Sequence, residues 1–242
     1  MAVKRAAYSS LSGTSGKRLQ AWTPTISGGT LTTAGGYNIY TFSSSGTLNT
    51  SIPTVVEYLI IGAGGSCAGS AQGGNRESGS GAGGYLSGIT FLSNLSNSIV
   101  VGNYVAGKNN GQNTTAFNLI SYGGGAAANN DFQAGNAGGS GGGGWYGGAG
   151  GAGVSGQGNA GGSPGTGFAG GGGGGAGAGG GAPAGGSGLS NSIGGSAYTY
   201  CTGGYANTYQ STVYNQNATT YGSGAWGIGN GFNGIVIVRL PI

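Results

Sequence analysis

Only three carboxylates are present in 242 residues, Glu57, Glu77 and Asp131, and there is no histidine. A serine–histidine relay and a histidine-ligated metal are therefore excluded. Two-carboxylate glycosidase chemistry would have to draw on that trio. Glu57 sits inside the apolar run Val55-Val56-Glu57-Tyr58-Leu59-Ile60-Ile61, and Glu77 directly follows Arg76, which predicts a surface ion pair rather than an acid catalyst. Glycines follow the strand-like Ile60-Ile61 in Gly62-Ala63-Gly64-Gly65-Ser66-Cys67, as in a dinucleotide fingerprint. The sixth position is Cys67 rather than glycine, no helix-forming run follows, and no acid lies about 20 residues on to hold a ribose. We expect no enzyme activity, no cofactor and no metal. Cys67 and Cys201 allow one disulfide or two buried thiols.

Binding chemistry is better represented. Between Tyr198 and Trp226 the chain carries Tyr198, Tyr200, Tyr205, Tyr209, Tyr214 and Tyr221 among the amides Asn207, Gln210, Asn215 and Gln216, with no charge at all. Flat amphipathic rings combined with directional amide hydrogen bonds suit adaptable recognition of a neutral glycan or an outer-membrane protein. Packing of the same rings over the glycine-rich scaffold is the structural alternative. Bulky islands also interrupt the glycines at 72–78, at 129–133 with Phe132, and at Trp145-Tyr146. They cannot enter a close-packed glycine array and should emerge at its ends or surface.

Four of the seven basic residues, Lys4, Arg5, Lys17 and Arg18, fall in the first eighteen positions, and Trp22 closes this arm. The arm is expected to attach the protein to a protein partner, with Trp22 as apolar anchor; nucleic acid is not expected as a ligand. The start contains no apolar stretch of signal-peptide length, and no run approaches a membrane span, so membrane insertion is not expected.

These groups need elements to position them. Glycine contributes 65 residues and charged residues only 4% of the chain, far from ordinary globular usage. The segment 23–48 reads as short antiparallel strands with turns at Gly28-Gly29 and Gly35-Gly36. The run 55–61, the shorter Ile99-Val100-Val101 and the closing Ile235-Val236-Ile237-Val238-Arg239-Leu240 read as strands covered on both faces, so the two chain ends should share one β core. Glycine tracts at 62–84 and 123–188 cannot be helical, since each interior glycine costs about 0.8–1.0 kcal/mol relative to alanine. An ordinary sheet lacks cross-strand side-chain pairs there. Extended polyproline II geometry remains, with neighbouring glycine faces close enough to exchange backbone hydrogen bonds. The expected class is mostly β and irregular: a β-sandwich-like base formed by both chain ends plus a polyglycine II helix bundle. Its parts are an arm at 1–22, a β-rich base with a first glycine segment at 23–122, the bundle at 123–188, and tyrosine/amide loops with the closing strand at 189–242.

The series Tyr40-Thr41-Phe42-Ser43-Ser44-Ser45-Gly46-Thr47, Val56-Glu57-Tyr58-Leu59-Ile60-Ile61-Gly62, Gly81-Ala82-Gly83-Gly84-Tyr85 and Gly234-Ile235-Val236-Ile237-Val238-Arg239-Leu240-Pro241 resembles the glycine-rich domain of phage tail proteins, across roughly 37–242. The middle is similar in style to the polyglycine II distal tail-fibre adhesins of T-even-type phages. That resemblance implies a virion protein assembled in the host cytoplasm, a fibre tip whose arm docks on other virion proteins, whose loops meet a host surface receptor, and which joins or caps a trimer. A capsid decoration or head fibre is the alternative. An ice-binding protein is a further one, although no regular Thr or Ala face recurs at every third position.

Overall fold

A computed structural model describes residues 24–68, 77–165, 170–207 and 216–242. The basic arm with Lys4, Arg5, Lys17, Arg18 and Trp22, the candidate binding residues Tyr209, Gln210, Tyr214 and Asn215, and Arg76 lie outside them. Among the described residues the chain is all β and irregular, without a helix.

Glycine sets the first turns. Gly35 and Gly36, at φ 58° and 79°, form a two-residue hairpin loop between β2 (Thr30–Ala34) and β3 (Tyr37–Phe42). Gly28 and Gly29 turn the chain out of β1 (Ile26–Ser27), but β1 pairs with β4 (Gly46–Thr50) in a different sheet. The expected small antiparallel region is thus divided between two sheets. The first has order β1-β4-β7-β8-β9, with β7 (Ser96–Val100), β8 (Thr114–Ala116) and β9 (Leu119–Ser121). The second has order β2-β3-β12-β5-β6, with β5 (Thr54–Ile61), β6 (Tyr85–Leu92) and β12 (Ile235–Pro241). All their pairings are antiparallel.

The second sheet is covered on both faces. Val56, Ile60, Val236 and Val238 point toward the first sheet, where they meet Leu48, Ile99 and Ala116. Leu59, Ile61, Ile235 and Ile237 point the other way and are covered by Ile193, Tyr200 and Cys201, carried by and beside the hairpin of β10 (Leu189–Asn191) and β11 (Tyr198–Tyr200). Both chain ends therefore share one core, and β12 pairs with β3 and β5 on its two sides. Ile99-Val100-Val101 differs from expectation: β7 belongs to the outer sheet, and Val100 is 46% exposed while its neighbours are buried.

Strands pass directly into glycine segments. Leaving β5, the N–H groups of Gly62 and Gly65 donate to Gly84 and Gly81, those of Ala63 and Ser66 to Gln112 and Asn109, and those of Gly64 and Cys67 to Phe232 and Gly229. Each partner segment recurs after three residues and is itself displaced by three. The segment 78–84 repeats the pattern: Ser78, Gly81 and Gly84 donate to Ala128, Gly125 and Tyr122; Gly79 and Ala82 to Gly171 and Gly174; Ser80 and Gly83 to Ala225 and Gly222. Its carbonyls accept from Gly62, Gly65, Ser140, Gly143 and Gly204. It thus donates to three neighbours and accepts from three others, and every residue from 77 to 84 is buried. A β-strand has only two lateral neighbours.

Such contact leaves no room for side chains on the facing sides. A Cβ on Gly79 would stand 1.9 Å from the Gly204 carbonyl oxygen, and one on Gly204 1.7 Å from that of Ala225. Alanine and serine occupy the remaining interstices; Ser80 Oγ donates to the Gly65 carbonyl at 2.7 Å and accepts from Ala225 N at 2.6 Å. Among the described residues the array recruits 62–67, 201–207 and 216–226 as well as 123–165 and 170–188.

Candidate functional site

The hydrogen-bond register fixes which residues share an end of the array. Gly62, Gly84 and Tyr122 lie level with one another beside the sheets, whereas Ser78 lies level with Ala128, and Gly79 with Gly143 and Gly171, at the opposite end. The islands 129–133 and 145–147 leave the array at that far end.

There Phe132 N–H donates to the Tyr146 carbonyl at 2.9 Å, and the rings meet edge to face with centroids 5.3 Å apart. Phe132 is 74% exposed and Tyr146 40%. Both have left-handed backbone, at φ 58° and 26°, a conformation that L-residues with bulky side chains rarely adopt. Residues held this way concentrate at ligand-contacting sites. Their support is polar, with a buried indole and half-buried partners. Trp145 is 2% exposed; its indole N–H donates to Asp131 Oδ1 at 3.1 Å and its backbone N–H to the Gln133 carbonyl. Trp145 thus holds up the two exposed rings instead of presenting its own face. Gly147, at φ 85°, lets the chain pass the Phe132 ring, where a Cβ would come within 2.9 Å.

The same end carries Glu77, which is 2% exposed and so does not lie at the surface. Asn207 Nδ2 donates to its Oε2 at 2.7 Å, and Asn207 N–H donates to its carbonyl. Asn207 is fully buried and acts as an internal clamp. Tyr205, 36% exposed, stacks obliquely on Trp226 at 5.1 Å. Trp226 and Gln216 exchange backbone hydrogen bonds, and from them a cleft of about 220 Å³ without a charged residue runs back along the array past Asn217 and Thr219 to Thr202, Thr220 and Ser223, which lie toward the sheets.

Tyr198, Tyr200 and Tyr221 do not join this group. They lie beside the second sheet, where Tyr198 packs on Tyr200 at 4.8 Å and on Tyr221 at 6.4 Å. Tyr200 is buried in the core, and burial pushes its phenol up to about 12, with Tyr198 and Tyr85 adding to the rise. The segment 201–207 runs between the two groups, bonding to Tyr221 beside the sheets at one end and to Glu77 at the other. What read as one aromatic stretch is two clusters at opposite ends.

Sequence reasoning found the Phe132 and Trp145-Tyr146 islands as protrusions but missed their mutual contact. Gly147, next to Tyr146, is the one local sign of the backbone geometry. The remaining reactive groups are dispersed. Glu57 forms a two-point ion pair with Arg239 on β12, at 2.8 and 3.0 Å. Cys67 and Cys201 are separate buried thiols; burial raises Cys67 to about 12 and raises Cys201 as well. Among the described residues no group of three His, Cys, Asp or Glu side chains converges, and no helix is long and apolar enough to cross a membrane.

No protein-family model matches the chain, and no curated protein is significantly similar to it.

Proposed function

We propose that the protein is a phage fibre tip or surface adhesin, a virion component that binds a receptor on the host surface through the end of the glycine array remote from the sheets. One observation carries this reading: Phe132 and Tyr146, both exposed, have left-handed backbone and flank a support in which the buried Trp145 donates to the half-buried Asp131. Large rings kept in solvent at a conformational cost are poor candidates for packing and good ones for contact. The uncharged cleft beside Trp226 offers amide and hydroxyl groups suited to a neutral glycan or to polar loops of an outer-membrane protein.

The glycine segments are polyglycine II helices in this reading. Recurrence of each neighbour every third residue supports it, because that helix turns once in three residues and directs its backbone groups outward. Such a bundle serves as a rigid mount between a β base, with the basic arm 1–22 docking on other virion proteins, and a variable tip.

Purified protein should bind host cells and slow phage adsorption in competition, and the double substitution Phe132→Ala with Tyr146→Ala should remove both effects. Loss of neither effect, or their absence in the unaltered protein, would sink the adhesin reading. Localisation on the capsid shell by particle microscopy would point to a decoration protein instead.

A further inference from the structure

The second sheet ends in a strand whose outer rim is open. Tyr85 N–H points away from β5 and donates to the Gln157 carbonyl at 2.9 Å, so positions 85, 87, 89 and 91 direct their backbone groups outward. Beyond Tyr85 that rim is uncapped: among the described residues, no hydrogen bond uses the outward groups of Ser87, Ile89 or Phe91. The other sheet rims are shorter, with β1 two residues long, β9 three and β2 five, against eight for β6. Soluble proteins usually blunt such a rim with charge, proline or a bulge. The β6 sequence Tyr-Leu-Ser-Gly-Ile-Thr-Phe-Leu contains no charge and no proline.

The side chains beside the open rim are apolar and exposed: Ile89 at 60%, Phe91 at 62%, and Val55 at 55%, directly across from Phe91 on β5. They share a face with Glu57 and Arg239, which neutralise one another, and the Arg239 guanidinium lies 4.4 Å over the Tyr37 ring. The patch therefore presents no net charge to repel a copy of itself.

We propose that β6 is a self-association edge, pairing antiparallel with β6 of a second copy about a two-fold axis at Ile89. Only this register uses all three open positions symmetrically: Ile89 faces Ile89 of the second copy, and Ser87 faces its Phe91. About six inter-copy backbone hydrogen bonds form. Directly opposed residues lie on the same face of an antiparallel sheet, so the Val55, Ile89 and Phe91 surfaces of both copies merge into one covered apolar strip. The interaction does not depend on the adhesin reading.

Because residue 89 meets itself across the axis, a charge there tests the register. The full chain should be a dimer by light scattering at micromolar concentration. Ile89→Lys and Ile89→Glu should each run as monomers, with association weakened at least about tenfold by like-charge opposition. An equimolar mixture of the two should recover the dimeric mass, and thermal melts should show both variants folded. Val100→Lys, on the outer sheet, should leave the dimer intact. A monomeric or trimeric unaltered protein, a dimer indifferent to Ile89→Lys, or a charge-swapped mixture that stays monomeric would each overturn the proposal.

Discussion

Phe132 stands edge-on to Tyr146 at an interplanar angle of 66°, and the same two residues are tied by a backbone hydrogen bond while both adopt positive φ. Strain and ring contact therefore act on one pair of residues. Phe132→Gly removes a left-handed penalty of about 1–2 kcal/mol and a ring pair of about 0.5–1.5 kcal/mol. Its melting temperature should stay close to that of the parent while host binding falls at least about tenfold. Phe132→Ala keeps the backbone strain and loses the ring, so it should melt lower than the glycine variant.

Interior and peripheral glycines should respond oppositely to a methyl group. Gly79→Ala forces a Cβ against the Gly204 carbonyl in the central segment and should cost more than about 4 kcal/mol, enough to abolish soluble folding. At the exposed Gly181 the nearest atom is 3.8 Å away and φ is not left-handed. Gly181→Ala should be neutral or stabilise by up to about 1 kcal/mol in chemical denaturation.

Stability should be lost on the alkaline side. Cys67 and Tyr200 titrate higher in the folded protein than in the unfolded chain, each at about 12, so above their ordinary values the unfolded state binds fewer protons. Each group then removes up to about 1.4 kcal/mol per pH unit from its unfolded value up to its folded one. With no histidine in the chain, denaturation midpoints should be flat from pH 6 to 8 and fall from about pH 9 upward. Cys67→Ser should make the alkaline fall shallower.

Asn207 joins the backbone and the side chain of Glu77, both buried. Asn207→Ala deletes a hydrogen bond to a carboxylate and should lower unfolding free energy by about 1.5–3 kcal/mol. A urea titration showing no change in midpoint would contradict the clamp.

Much of the base was legible because β5 and β12 are apolar on both alternating faces, and burial on both sides follows from that pattern. Ile99-Val100-Val101 carries the same signature over too few residues to reveal that β7 lies in an outer sheet. The burial of Glu77 left no local sign, since Asn207, which bonds its carboxylate, lies 130 residues away. The tyrosine stretch looked continuous because composition does not reveal that the segment 201–207 runs the length of the array. Its two ends inherit different surroundings.

The threefold rotation of partners also constrains how such a chain can change its length. Removing one residue from 78–84 would move each later donor out of its every-third-residue register, toward a different neighbour. Deletions of three restore that register, and changes outside the mutually bonded segments leave it untouched. Lineages of this protein should therefore vary in length freely outside the array and only in multiples of three within it.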